Sequence, residues 1–107
     1  MKAYPTVHQL RLSGKKIKIT HLRRYSRYDE RTGKKTTVLA CFEDHRDKYS
    51  NFFLEAKGGE TKLTLGNSED DPNAISVTAE CSLNEAYNRK IGVQVAVGRA
   101  LKLSNNL

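Results

Sequence analysis

Residues 81–103, CSLNEAYNRKIGVQVAVGRALKL, predict one long helix near the end of the chain. Ser82 is a favourable N-cap residue and Glu85 follows three positions later, which is the capping-box pattern. No proline interrupts the run, and Lys102 lies in its last turn, where a cation suits the helix dipole. A helix in water draws most of its stability from packing, so the preceding residues must supply a surface for it.

Small side chains form a stripe along this predicted helix. Gly92, Ala96 and Ala100 recur every four residues, and such a stripe lets another backbone or a ligand approach closely. Asn88 and Arg99 lie on a neighbouring face, about three turns apart. Two interpretations follow. Either the small residues allow tight packing and Arg99 is a solvated arginine, or the polar ends of this face hold a small anionic ligand.

Runs of alternating or β-branched residues precede the helix and predict about five antiparallel strands. The predicted strands are residues 15–28, 35–44 (a central strand), 51–57, 61–65 and 74–81. Loop compositions separate them at residues 29–33, 45–51, 58–59 (a tight hairpin) and 66–73. Residues 1–14 predict a flexible arm or a short edge strand. The expected fold is a single α+β domain spanning residues 1–107, with an antiparallel sheet followed by one long C-terminal helix.

Positive charge is concentrated in the first half of the chain. The net charge is +7, and residues 1–57 carry 14 Lys and Arg against 6 Asp and Glu, whereas residues 58–107 carry 5 against 6. A basic half indicates an anionic partner, which is a nucleic acid, a nucleotide or an acidic protein surface.

Several classes of protein are not favoured by the sequence. No apolar run is long enough for a transmembrane helix, and the N-terminus lacks a hydrophobic signal region. Cys41 and Cys81 are expected to be buried free thiols of a cytosolic protein rather than a disulfide. The three histidines form no metal-ligand spacing, and the acidic residues 69–71 lie in a loop that cannot hold them rigidly for acid–base catalysis. We therefore expect a protein that is not an enzyme and needs no metal or cofactor.

Arginines and tyrosines interleave at the end of the first long strand. The residues are Arg23, Arg24, Tyr25, Arg27 and Tyr28. Arginine forms bidentate contacts to phosphate and tyrosine offers a face for a base, so the pattern fits nucleotide or single-strand binding. A charged strand end whose tyrosines cover the sheet explains it equally well. Tyr87, Asn88 and Arg89 repeat the theme at the first turns of the predicted helix, where the helix dipole also favours an anion.

Apolar residues occur on nearly every side of the predicted helix. The set is Leu83, Ala86, Tyr87, Ile91, Val93, Val95, Val97, Leu101 and Leu103. One sheet cannot bury all of them, which indicates packing on a second subunit. We therefore expect a homo-oligomer, and the apolar pattern does not distinguish a dimer from a hexamer.

The C-terminal segment resembles a family of phage proteins, the first anti-Thoeris family. The residues that carry the resemblance are Cys81, Ser82, Tyr87, Asn88, Arg89, Lys90, Gly92, Gly98, Arg99, Ala100, Leu101 and Lys102. They cover about a fifth of the chain, and an arginine-rich first strand and the GKKTT turn at residues 33–37 fit the same order. Tyr87 stands where the family pattern has phenylalanine, and Val93 and Gln94 stand where a basic residue is common.

This resemblance implies a non-enzymatic sponge. Family members are oligomers that sequester a cyclic ADP-ribose signal made by bacterial TIR enzymes, and some hold cyclic nucleotides. Applied to this chain, it implies that arginines clamp the phosphates, Tyr87 stacks on the base, and Asn88 or the polar groups of Ser82 and Asn84 read the base edge. The arginines are Arg23, Arg24, Arg27 and Arg99. The resemblance also implies the cytoplasm of an infected bacterium. The alternatives are a small basic phage nucleic-acid-binding protein and an inhibitor that binds a host defence protein.

Overall fold

The computed structural model describes residues 5–105, in which one antiparallel sheet carries three helices. The strands are β1 (Lys16–Tyr28), β2 (Lys35–Ala40), β3 (Phe53–Leu54), β4 (Glu60–Gly66) and β5 (Ile75–Glu80). The helices are α1 (Val7–Leu12), α2 (Phe42–Lys48) and α3 (Arg89–Asn105). The predicted α+β fold, with a sheet of five strands followed by a C-terminal helix, is confirmed. No helix among these residues is both long and apolar enough to cross a membrane.

Strand β1 is the centre of the sheet. The strand order is β2-β1-β4-β5, and β3 also pairs with β1. The first half of β1 pairs with β4, with Ile19 opposite Leu63, and its second half pairs with β2 and β3. The predicted hairpin between β1 and β2 is confirmed, but β2 ends at Ala40 and pairs only with β1. The expectation of a central strand at residues 35–44 was wrong, because β1 takes the central position. It pairs with β2 on one side and with β4 and β3 on the other, which leaves β2 at the edge of the sheet.

Alternation along the strands separates two faces of the sheet. Ile17, Ile19 and His21 of β1 face α3, whereas the residues between them point to the opposite side. The buried core lies between the sheet and α3, with Leu10 of α1 completing it at one end. Its members are Leu10, Ile17, Leu63, Leu65, Ala79, Ala96, Val97 and Ala100. Neither α1 nor α3 covers the opposite face.

The small-residue stripe packs against the protein's own sheet. Ala96 and Ala100 are buried completely, and a Cβ atom at Gly92 would collide with the side chain of Thr61 on β4. Thr61 is itself fully buried, so it cannot move aside cheaply. Of the two interpretations of the stripe, the structure supports tight packing.

Helix α3 begins six residues later than the capping box predicted. The segment before Arg89 pairs with the residues that precede β4, with Tyr87 N donating to Ala56 O at 3.0 Å. The Ser82 hydroxyl accepts from the backbone N–H two residues on, so it closes a turn and caps no helix. Asn88 provides the side-chain cap, because its Oδ1 accepts from Ile91 N at 3.1 Å. The prediction of a helix over residues 81–88 was therefore wrong.

Two further regions are helical where a strand, an arm or a loop was expected. Within residues 1–14, α1 forms behind a capping box in which Thr6 and Gln9 exchange hydrogen bonds. Residues 1–4 of the expected arm lie outside the described part. The predicted loop at residues 45–51 overlaps α2, whose first turn is acidic and whose last turn is basic, as the helix dipole favours.

Candidate anion-binding site

Tyr87 lies just before α3, and its hydroxyl connects three neighbours. Its Oη lies 2.6 Å from His21 Nδ1 and 2.9 Å from Thr61 Oγ1, and it donates to the carbonyl oxygen of Glu60 at 3.2 Å. Gly59 allows this approach, because a Cβ atom there would lie 2.7 Å from Tyr87 Cδ2. These contacts fix the ring against β1 and β4 and hold the start of α3 on the sheet.

Arg23 of β1 covers the Tyr87 ring. The guanidinium carbon lies 4.5 Å from the ring centroid, a cation–π contact, and Nη2 donates to Glu55 O at 3.3 Å. Arg23 Nε is buried and has no hydrogen-bond partner among the described residues. The predicted pair of Arg23 and Tyr87 is therefore brought together. A base that binds here must either displace Arg23 from the Tyr87 ring or stack on the Arg23 guanidinium that covers the ring.

The surroundings of this cluster are electropositive. Burial lowers the pKa of His21 below its ordinary value of 6.5, and the guanidinium groups of Arg89 and Arg23 lower it further. Arg89 opens α3 and the exposed Lys90 follows, while the first turn of the helix contains no acidic residue. The partial positive charge of the helix N-terminus adds to these cations. We call Arg23, Tyr87, Arg89 and Lys90 the α3 N-terminal cluster; its chemistry suits a phosphate or another anion.

The free energy of unfolding should fall when the pH is lowered far enough to protonate His21. The folded pKa lies below the unfolded value, so the unfolded state binds the proton more readily. The stabilisation from neutral His21 is fully present above about pH 6.5 and is lost as the pH falls from there through the folded pKa. Urea denaturation between about pH 7.5 and pH 5.5 should show this loss, and His21→Gln should flatten it. Equal slopes in both proteins would contradict the assignment.

Arg24 points to the opposite face of the sheet, next to Ser82. Both line a groove of about 500 Å³, together with Leu39, Gly59, Glu60, Glu80, Cys81 and Leu83. The glutamates make this groove less favourable for phosphate than the α3 N-terminal cluster. Asn84 lies beside Ser82, with its backbone N–H donating to the serine hydroxyl at 3.2 Å. Asn88 is the cap of α3, as described above.

The other predicted arginines lie elsewhere in the fold. Arg27 stacks on Phe52, with its guanidinium carbon 5.5 Å from the ring centroid. Arg99 donates to Thr78 O of the edge strand β5 at 2.6 Å. It lies ten residues after Arg89, which is about 15 Å along the helix axis. The predicted ligand-binding residues therefore do not converge on one site within a single copy.

The interleaved tyrosines separate in the same way. Tyr25 is buried and stacks on His45 of α2, with ring centroids 3.9 Å apart. Tyr28 is exposed and stacks on Phe53 of β3 at 5.8 Å. Tyr25 thus covers the sheet, as the structural explanation of the pattern expected, and only Tyr28 keeps an exposed ring.

His21, Thr61, Arg89 and Lys90 were not among the predicted ligand-binding residues, although Arg89 belongs to the basic and aromatic pattern that the sequence shows at positions 87–89. His21 continues the alternation of the apolar residues in β1, and Thr61 does the same in β4, so both resembled ordinary sheet positions. Cys41 and Cys81 are free and partly buried. Among the described residues, no group of three or more histidine, cysteine, aspartate or glutamate side chains is placed to hold a metal ion.

The comparisons with known proteins identify no relative: no protein-family model matches the chain, and neither a curated protein nor a solved structure does.

Proposed function

We propose that this protein is a phage anti-defence protein that binds a cyclic ADP-ribose-type or cyclic nucleotide signal and sequesters it without cleaving it. Such binding blocks Thoeris-like or CBASS-like signalling in the cytoplasm of the infected bacterium. The observation that carries the proposal is the α3 N-terminal cluster, in which Arg23 lies over the Tyr87 ring and Arg89 is close enough to lower the pKa of the neighbouring His21. Lys90 follows at the start of α3, and no acidic residue lies in the first helical turn. The resemblance of the C-terminal segment supports the same conclusion.

Binding at this cluster requires no reacting group. Phosphate oxygens accept hydrogen bonds from the guanidinium groups of Arg89 and Arg23, and the helix dipole favours their charge. Arg23 has capacity for this contact, since within the described residues its terminal amino groups make one hydrogen bond, from Nη2 to Glu55 O. The base stacks on Arg23 or on the Tyr87 ring that Arg23 covers. A sponge needs only affinity and abundance, so acid–base groups have no part in the mechanism.

The proposal includes a homo-oligomer in which the outer face of α3 contacts a second copy. On this face Ile91 is 57% exposed, Val95 41% and Leu103 50%. Burying apolar side chains of this size stabilises an interface. Light scattering after size-exclusion chromatography should give the mass of a dimer or hexamer; a monomer at micromolar concentration would contradict this part.

Arg89→Ala should weaken binding of the signal without unfolding the protein. Arg89 is exposed at the start of α3, so its loss removes a charge-assisted hydrogen bond at little cost in stability. Such bonds contribute about 1.5–3 kcal/mol, so the dissociation constant should rise about tenfold to a hundredfold. Isothermal titration with cyclic ADP-ribose isomers measures the change, and the exposed Arg31→Ala is the matched control.

Chromatography of the ligand after heat denaturation completes the test. A sponge releases intact ligand, whereas an enzyme releases a product. No heat of binding with any cyclic ADP-ribose isomer or cyclic nucleotide would refute the proposal. Titrating Arg99→Ala in parallel tests whether that residue takes part, as the resemblance implies; an unchanged affinity would remove it from the site.

A further inference from the structure

The face of the sheet opposite α3 has an unusual composition. In β1, β4 and β5 it presents only lysines and hydroxyl residues over two successive rungs of the sheet, and Lys16, opposite the buried Gly66, extends it by one more position on β1. These residues are Lys16, Lys18, Thr20, Lys62, Thr64, Ser76 and Thr78. Five of the seven are exposed, and Thr64 and Thr78 are partly buried. We call this set the lysine–hydroxyl face.

The register of the strands brings the three lysines close together. Lys18 is opposite Thr64, and Lys62 lies two residues before Thr64 on β4, which makes it a diagonal neighbour about 7–8 Å from Lys18. Lys16 is two residues from Lys18 on the same side of β1, which is about 7 Å. The salt bridges in the described part of the chain involve none of these lysines. Like charges at this spacing repel one another unless an anion lies between them.

Carboxylate side chains lie at the two ends of the lysine–hydroxyl face, and none belongs to the face itself. The next rung carries Leu22, Glu60 and Glu80, so the face ends there. At the other end it continues into a groove of about 470 Å³ whose cationic lining residues are Arg11, Lys15, Lys16 and Lys18. Glu69 lines this groove as well. The nearby Asp71 accepts backbone N–H groups of its own loop at 2.8–2.9 Å, which lowers its pKa and ties it to that loop.

We propose that the lysine–hydroxyl face binds the sugar–phosphate backbone of nucleic acid. Lysine and serine or threonine hydroxyls are donors that proteins use to contact phosphate and sugar oxygens. The seven residues include no aromatic ring for a base to stack on, so binding by this face is independent of base sequence. The face lies on the opposite side of the sheet from the α3 N-terminal cluster. The inference therefore goes beyond the proposed function and does not depend on it.

Fluorescence anisotropy with a labelled single-stranded and a labelled duplex oligonucleotide tests the inference at about 50 and 200 mM salt. The test variant replaces Lys16, Lys18 and Lys62 with alanine. The control variant replaces Lys34, Lys48 and Lys102, which are exposed elsewhere and change the net charge equally. At the lower salt concentration, the test variant should bind at least tenfold more weakly than the wild type, and its salt slope should fall by about 2–3. The control should stay within about threefold of the wild type.

Either of two results would overturn the inference. The first is that neither oligonucleotide binds the wild-type protein at the lower salt concentration. The second is that both variants lose affinity equally, since net charge alone then explains binding. Circular dichroism and a Lys→Gln version of the test variant exclude misfolding as the cause. Titration of the test variant with cyclic ADP-ribose isomers should match the wild type, which separates this surface from the proposed signal site.

Discussion

Gly59→Ala should lower the free energy of unfolding by about 3 kcal/mol, because two separate costs act at this position. Gly59 has a φ of +116°, which residues with a Cβ atom rarely adopt. An added Cβ would also lie 2.8 Å from the carbonyl oxygen of Leu22 and 2.7 Å from Tyr87 Cδ2. Backbone cannot move aside cheaply, so either the turn or the Tyr87 ring must shift. Urea denaturation followed by circular dichroism measures the loss.

Gly33→Ala is the matched control for this change. Gly33 also has a positive φ, +71°, but no atom lies within 4 Å of the place where its Cβ would be. It should therefore show only the conformational cost, about 1 kcal/mol. If the two substitutions destabilise the protein equally, the close approach between Gly59 and Tyr87 is not a feature of the folded protein.

Tyr87→Phe should cost about 2 kcal/mol although it removes only one oxygen atom. The Tyr87 hydroxyl forms hydrogen bonds with His21, Thr61 and the carbonyl oxygen of Glu60, and Thr61 is fully buried. Without it, Thr61 Oγ1 has among residues 5–105 only His21 Nδ1 at 3.5 Å, which is a poor hydrogen bond. A buried polar group that loses its partner carries its full desolvation cost. The effect should appear as a lower denaturation midpoint with an unchanged m-value.

The control for this prediction is Tyr28→Phe, on an exposed ring that stacks on Phe53. It should change the stability by less than about 0.5 kcal/mol. A similarly small change for Tyr87→Phe would show that the hydroxyl network does not hold in solution. The test also bears on the resemblance, because phenylalanine is the residue expected at this position. The network explains why tyrosine stands here.

Gly59 and Tyr87 both contribute to the structure of the α3 N-terminal cluster. Gly59 permits the Tyr87 ring to approach the sheet, the hydroxyl fixes that ring, and Arg23 lies over it. A variant that loosens Tyr87 should therefore also weaken ligand binding at Arg89 if the proposed function is right. The affinity of Tyr87→Phe should be measured without denaturant, where the variant is still folded. A loss of affinity there reports the displaced ring and not a smaller fraction of folded protein.

Part of the site was predictable from residue type alone. Arg23 and Tyr87 were both predicted, and Arg89 was recognised as part of the same basic and aromatic theme. The remaining arginines separate for reasons of geometry. Alternation along β1 turns Arg24 to the other face, and Arg27 stacks on Phe52. Arg99 reaches the edge strand from a point about three turns along α3.

Patterns among neighbouring residues were enough to predict several of the strands and one loop. Period-two alternation located β1, β4 and β5, and the polar stretch at residues 66–73 located the loop between the last two strands. These patterns lie within a few neighbouring residues, and burial of one sheet face confirms them. The α+β architecture followed from their order along the chain.

The start of α3 and the residues that meet there depend on contacts that form only in the folded chain. The capping box at Ser82 and Glu85 favours a helix locally, but the backbone there hydrogen-bonds to residues before β4, and the Tyr87 hydroxyl reaches a histidine 66 positions away. A capping box contributes about 1 kcal/mol, whereas Tyr87 makes several hydrogen bonds and one of its partners is buried. Contacts between residues so far apart leave no periodic signal, so only the folded chain could join Arg23, Tyr87 and Arg89.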